Sequence, residues 1–161
     1  DPDFTAGAKV GVRFENQAPL CYVADVKWCQ KEAPARDAMI RQVALADGPA
    51  VWQCVEQVGG YKDSVTTLKK VLDGFSVVYP VPVNKDKVIN AAELEPVVAA
   101  GNMYLKASEH TEYIINQMAA FPKGKKDDIP DSICKGYLKA KERAAALTRF
   151  GGRFGASAVN W

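Results

Sequence analysis

Residues 50–83 read AVWQCVEQVGGYKDSVTTLKKVLDGFSVVYPVPV, and this stretch decides the fold class. An apolar strand is predicted first, ending at Glu56 before a Gly-Gly loop. A helix follows, with Ser64 as its N-terminal cap and Gly74 just beyond its end. The β-branched residues after Gly74 predict a second strand. A strand, a helix and a strand in succession favour parallel pairing, and therefore an α/β sheet.

On the N-terminal side of this unit, the sequence predicts a hairpin and a helix. Residues 8–13 and 20–28 are the two strands, and the second alternates apolar with polar side chains. Residues 33–46 form the helix, with Pro34 in its first turn. The predicted order up to residue 83 is therefore ββαβαβ.

On the C-terminal side, helices are predicted at residues 93–100 and 109–120, with a short strand at 103–105 between them. A longer helix begins near Pro130, because apolar residues recur there at helical spacing: Ile133, Tyr137, Ala140, Ala144 and Leu147. We predict one domain over residues 1–149. The Gly-rich ending FGGRFGASAVNW, residues 150–161, is predicted to be a flexible tail.

Composition excludes several classes of protein. The chain has 161 residues, of which 48% are hydrophobic and 25% charged, a balance that excludes a disordered chain. No apolar run approaches the roughly 18 residues of a membrane span, so no membrane partner is expected. Four cysteines without a CxxC pair, and a single histidine, argue against a zinc site. Reduced cysteines in a cytoplasm are the expectation.

Charge is uneven along the chain. Residues 121–161 hold nine Lys/Arg and four Asp/Glu, whereas residues 1–120 hold twelve and fifteen. A basic C-terminal third fits either a solvated, lysine-rich helix surface or a face that contacts a polyanion such as DNA.

Glu56 is the first candidate for chemistry. It follows a buried strand and precedes a Gly-rich loop. The carboxyl ends of parallel strands are where open α/β sheets bind their ligands. An ordinary strand-end charge in water is the alternative, and position alone does not separate the two.

The second candidate is the acidic segment Lys126-Asp127-Asp128-Ile129-Pro130-Asp131. Its three aspartates sit at the start of a predicted helix, where aspartate accepts backbone N–H bonds and suits the helix dipole. Asp128 and Asp131 are also three apart and share one helix face. Together with Glu56 they would form a site for Mg²⁺ or Mn²⁺, and two such ions about 3.5–4 Å apart promote phosphodiester hydrolysis.

Seven stretches, in this order, carry a family resemblance: DPDFTAGAKVGV, CYVADVKW, ALADG, EQVGG, LDGFSVVYPVPVNKDK, AAGNMYL and AFPKGKKDDIPDS. They resemble the nuclease domain of the terminase large subunit of tailed bacteriophages, over about residues 1–135. The resemblance implies an α/β fold of the ribonuclease H-like (RuvC-like) type, with a mixed sheet flanked by helices. It also implies a metal-dependent endonuclease that cuts concatemeric viral DNA during genome packaging.

The resemblance assigns roles to individual residues. Glu56 and Asp128 match the catalytic acids, and two Mg²⁺ or Mn²⁺ ions would be the cofactors. The implied metal ligands are Glu56 and the acidic segment Asp127, Asp128 and Asp131, without a distinction among the three aspartates. Lys123, Lys125 and Lys126 are the expected contacts to the DNA backbone. Lys87 matches a basic position of the family and is either a further contact to phosphate or a solvated loop lysine. The implied partners are double-stranded viral DNA, the ATPase domain of the same full-length protein, the small terminase subunit and the portal. The implied location is the cytoplasm of a bacterial host.

Departures from the family pattern set two further expectations. Lys126 stands where the family usually has histidine. The family's first strand, central in the sheet and ending in an aspartate, has no match, because Asp1 and Asp3 match the loop after it. We therefore expect a sheet that lacks its first central strand, with a gap that self-association would cover, and weak or absent nuclease activity.

Two other functions stay open at this point. One is a non-catalytic module that binds protein or nucleic acid through a decayed ribonuclease H-like fold, as in a prophage remnant. The other is a different ribonuclease H-like enzyme, such as a resolvase or an integrase, against which the order of the motifs argues.

Overall fold

The computed structural model describes residues 4–57, 61–82, 86–149 and 155–161. It confirms the α/β class: a six-stranded mixed sheet is flanked by five helices. The strands are β1 (Phe4–Glu15), β2 (Ala18–Gln30), β3 (Trp52–Glu56), β4 (Val78–Val81), β5 (Met103–Leu105) and β6 (Ala156–Asn160). The helices are α1 (Ala33–Asp47), α2 (Tyr61–Val71), α3 (Lys87–Ala99), α4 (Thr111–Ala120) and α5 (Asp128–Arg149). The strand order across the sheet is β4-β3-β6-β1-β2-β5.

The predicted hairpin is confirmed as β1 and β2, which pair antiparallel along their whole length. Both strands are longer than predicted, because the ladder continues from Phe4↔Gln30 to Glu15↔Ala18. Asn16 and Gln17 form the two-residue turn with positive φ angles, the backbone twist that suits a tight hairpin.

The strand–helix–strand unit is confirmed as β3, α2 and β4, with β3 and β4 parallel. Its helix begins at Tyr61, so the prediction of Ser64 as the cap is wrong. Ser64 lies inside the helix, where its buried hydroxyl accepts a hydrogen bond from the guanidinium of Arg36 in α1. At this position Ser64 makes a tertiary contact between α2 and α1 and does not cap the helix.

The C-terminal segment corrects two expectations together. Ala156–Asn160 is not a flexible tail, and the sheet does not lack a central strand. β6 lies between β1 and β3, antiparallel to the first and parallel to the second. The small side chains of Ala156 and Ala158 fit into the packed interior, and Val159 is buried in the core of the opposite face.

The expected gap in the sheet is therefore wrong for the part of the chain that the structure describes, and self-association to cover it loses its basis. Residues 156–160 lack a strong strand pattern of their own, but they pair with β1 on one side and β3 on the other. Asp1 and Asp3, and residues 150–154 of the predicted tail, lie outside the described residues.

Helices cover both faces of the sheet. A core of apolar side chains from α1 and α2 packs on β3, β4 and β6, and a second core joins α3, α4 and α5 to β1 and β2. Helix α5 crosses the middle of the second face, and Ile133, Tyr137, Ala140 and Ala144 of its predicted stripe are fully buried. Leu147, at the end of that stripe, is exposed. None of the described helices has the length and apolarity needed to span a membrane.

Candidate active site

A small pocket of about 160 Å³ opens where the carboxyl ends of β3 and β6 meet the first turn of α5. Its polar lining comes from segments that are far apart in the sequence: Thr5, Glu56, Asp128, Asp131, Ser132 and Asn160. The aromatic rings of Phe4 and Trp161 line it as well. The structure therefore brings together the strand-end glutamate and two of the three predicted aspartates.

Parallel pairing of β3 and β6 positions two of these side chains. Cys54 lies opposite Asn160 in the ladder, and Glu56 follows two residues later on the same face of the sheet. Glu56 is among the predicted site residues and Asn160 is not, because Asn160 belongs to the segment predicted to be a flexible tail. The alternation of small residues in ASAVN was the available signal, and it is too short to identify a strand.

The N-terminus of α5 supplies the other two carboxylates. Asp128 and Asp131 lie in its first turn, where the helix dipole favours negative charge. Burial raises the pKa of Asp128 above the ordinary aspartate value, and the neighbouring charge of Asp127 raises it further. A carboxylate that is costly to ionise alone is stabilised by a cation nearby.

Lys135, one turn further along α5, supplies a positive charge. Its Nζ donates to Asp131 Oδ2 at 2.7 Å and also to Glu56 Oε1. Burial opposes the charge on Lys135, but the hydrogen bonds to Asp131 and Glu56 outweigh it, and the pKa of the lysine is raised. Lys135 is not among the predicted site residues, although its i, i+4 spacing from Asp131 indicates an ion pair on one face of the helix.

Asp127 is placed outside the pocket. Its Oδ2 accepts a hydrogen bond of 2.8 Å from Nζ of Lys87, the first residue of α3. The structure therefore separates the three predicted aspartates: Asp128 and Asp131 face the pocket, whereas Asp127 joins α3 to the start of α5. Lys87 is held in that ion pair.

The other predicted DNA-contacting lysines, Lys123, Lys125 and Lys126, are exposed in the connection between α4 and α5. This connection leads directly into Asp128. Three ammonium groups thus precede the acidic helix start along the chain, on a segment open to solvent. Such groups attract phosphate as point charges.

Two buried oxygens of the pocket residues have no hydrogen-bond partner among the residues that the structure describes. They are Asn160 Oδ1 and Asp131 Oδ1, and Asn160 as a whole is only 2% exposed. Buried polar atoms are almost always paired, so unpaired ones at a pocket suggest a bound ligand. Within the described ranges, no group of three or more His, Cys, Asp and Glu side chains is arranged to hold a metal ion.

Ser132 connects three of the elements that line the pocket, α5, β1 and β6. Its Oγ accepts a hydrogen bond of 2.8 Å from the backbone N–H of Ala8 in β1 and donates one of 2.6 Å to the backbone carbonyl of Asn160 in β6. The hydroxyl is thus a fixed link between α5 and the central strands. It holds the end of β6, and with it Asn160, in place.

We expect Ser132→Ala to lower the free energy of unfolding by about 1–3 kcal/mol, because a buried donor and a buried acceptor each lose a partner. Urea unfolding followed by circular dichroism measures the change. The control is Thr67→Ala, which removes an exposed hydroxyl of α2 and should cost less than about 0.5 kcal/mol. Equal effects in the two variants would contradict a linking role for Ser132.

No protein-family model matches this chain, and comparisons with curated proteins and with solved structures find no match either. The roles of the pocket residues therefore depend on their geometry and chemistry. An amide oxygen and carboxylate oxygens meet there, at the carboxyl ends of parallel strands and the start of a helix.

Proposed function

We propose that this chain is a metal-dependent endonuclease that hydrolyses phosphodiester bonds of DNA, as the terminase nuclease domains that it resembles do. One observation carries the proposal. Glu56, Asp128, Asp131 and Asn160 come from three elements, β3, α5 and β6, and line one pocket. Convergence of oxygen ligands from separate elements is what a site for a hard divalent cation requires.

The strand arrangement supports a ribonuclease H-like (RuvC-like) fold as part of this proposal. β6 lies inside the sheet, antiparallel to the hairpin strand β1 and parallel to β3, which ends in Glu56. The resemblance implies a central strand for the family, and we propose that β6 occupies that position in this chain.

The described residues form no group of three His, Cys, Asp or Glu side chains around one point, so the fit to a hard cation such as Mg²⁺ or Mn²⁺ depends on the amide of Asn160 beside two carboxylates. Asp128, Asp131 and Asn160 would hold it, since they offer oxygen ligands and two of those oxygens are buried without a partner. When bound, a divalent cation activates water for attack on phosphorus and stabilises the leaving oxygen. Lys135 orients Glu56 and Asp131 through its hydrogen bonds to both.

The substrate side of the proposal rests on charge. Lys123, Lys125 and Lys126 are exposed next to the start of α5, and contacts of this kind position a DNA backbone without reading its sequence. Concatemeric viral DNA as the substrate, and the small terminase subunit, the portal and an ATPase domain as partners in a bacterial host cytoplasm, are proposed from the resemblance.

A non-catalytic binding module is the second candidate, and one observation favours it. The ammonium of Lys135 forms ion pairs with both Glu56 and Asp131, as in a structural ion-pair network. In that case the carboxylates would only hold α5 against β3. A resolvase or an integrase would share the same pocket chemistry as the first candidate and differ in its DNA substrate.

The test is nicking of supercoiled plasmid with Mn²⁺, with and without EDTA. We expect slow nicking that EDTA abolishes, and Glu56→Gln to lower its rate on the order of 100-fold. Glu93→Gln is the matched control, because Glu93 pairs with Lys141 on the exposed surface and should leave the rate unchanged. A folded protein that binds DNA without nicking it would establish the non-catalytic module instead.

Asp1 and Asp3 enter this experiment as a further comparison. Both precede Phe4, which lines the pocket. If the chain nicks DNA, loss of the activity in Asp1→Asn or Asp3→Asn would add that carboxylate to the ligand set, and retained activity would leave the set as described.

A further inference from the structure

We infer that the pocket binds one divalent cation and that the ammonium of Lys135 takes the place of a second one. The inference rests on the proposed function and deepens it, because two-metal hydrolysis is the mechanism that the resemblance implies. It assigns a role to Lys135 and Asn160, which the sequence analysis did not single out.

The position of Lys135 is the first observation. Its Nζ hydrogen-bonds to one oxygen of Glu56 and to Oδ2 of Asp131, and its side chain is only 11% exposed. A cation therefore already bridges two of the three carboxylates that line the pocket. A metal ion placed between the same two oxygens would have to displace it.

The remaining oxygens are the second observation. Asp131 Oδ1 and Asn160 Oδ1 are buried and unpaired among the described residues, and Asp128 lines the same pocket. These three side chains form an oxygen set apart from the two atoms that Lys135 contacts. A pocket of about 160 Å³ is large enough for an ion and bound water molecules.

Charge balance is the third argument. Glu56, Asp128 and Asp131 carry three negative charges, and Lys135 carries one positive charge. One divalent cation neutralises the difference, whereas a second one would leave an excess of one positive charge if it displaced Lys135, and of two if Lys135 stayed, at a half-buried site. Unbalanced charge is costly where water is partly excluded.

The experiment is a titration of the whole chain with Mn²⁺, in which calorimetry and electron paramagnetic resonance of free Mn²⁺ give the stoichiometry. We expect one ion per chain. Lys135→Met should raise the number to two, and Lys135→Gln repeats the test in case the first variant does not fold. The control is Lys141→Met, which removes an α5 lysine whose partner is Glu93 on the surface.

Asn160 is tested in the same titration. Asn160→Ala should weaken binding of the single ion by at least about 10-fold, the loss expected when a metal site loses a ligand or its support. Asn102→Ala removes the same amide between α3 and β5 and should leave the affinity unchanged.

The outcomes distinguish a failure of the inference about Lys135 from a failure of the proposed nuclease function. Two ions in the unaltered chain would overturn the inference and leave the proposed nuclease standing. One ion in both the unaltered chain and a folded Lys135 variant would overturn the role of Lys135. No binding of Mn²⁺ to the unaltered chain would overturn the metal site itself, and the proposed function with it.

Discussion

Removal of residues 155–161 is expected to abolish cooperative unfolding, leaving a chain without a stable tertiary structure. β6 is paired on both sides, with β1 and with β3, and it joins the hairpin to the parallel strands. Without β6, no strand pairs the hairpin with β3 and β4, and both hydrophobic cores lose the side chains that β6 contributes. Circular dichroism and urea unfolding of the truncated chain, beside the 161-residue chain, measure the loss of the cooperative transition.

A single substitution in β6 tests its structural role without removing the strand. Val159→Asp places a charge where the side chain is 1% exposed, in the core formed with α1 and α2. We expect a loss of at least about 3 kcal/mol in the free energy of unfolding.

The matched control for that substitution is Val88→Asp in α3, where the valine is 59% exposed and the change should cost less than about 0.5 kcal/mol. A truncated chain that unfolds at the same urea concentration as the complete one, or equal effects of the two substitutions, would contradict a structural role for β6.

Asp128→Asn is expected to lower Mn²⁺-dependent nicking on the order of 100-fold, while Asp127→Asn changes it less than about threefold. The two aspartates are adjacent in sequence, yet Asp128 lines the pocket and Asp127 pairs with Lys87 outside it. Plasmid nicking at a fixed Mn²⁺ concentration gives both rates. Unfolding curves of both variants confirm that the comparison is between folded proteins.

This pair also separates the two interpretations of the acidic segment. If the aspartates served only the start of α5, both variants would lose stability and neither would change metal-dependent nicking selectively. A selective loss in Asp128→Asn assigns that carboxylate to the site, and leaves Asp127 as the residue that fastens α3 to α5. Equal losses of nicking would contradict the division that the pocket geometry makes.

Local patterns were sufficient for most of the fold. The alternating strand at residues 20–28 and the helical stripe from Ile133 to Ala144 each have a period that only one kind of element satisfies. The strand–helix–strand unit around Glu56 set the α/β class for the same reason. Helix α3 is longer than predicted, because Asp86 caps it by accepting hydrogen bonds from the N–H groups of Val88 and Ile89.

The site was predictable only in part. Glu56, Asp128 and Asp131 are acids at positions where a strand ends or a helix begins, so their residue types carried the signal. Asp127 is an aspartate as well, and the sequence offers no reason to separate it from Asp128. In the structure, Asp127 forms an ion pair outside the pocket with Lys87, which is 40 residues away along the chain.

Residues close together in the chain are enough to predict the α/β class, the hairpin, the parallel unit and the acids at its edge. The position of residues 156–160 inside the sheet, and of Asn160 and Lys135 at the pocket, depends on contacts between distant segments. Of the five residues in β6, only Val159 has a strong strand preference of its own. Their conformation comes from partners in β1 and β3, more than 100 residues away, and no local period records such pairing.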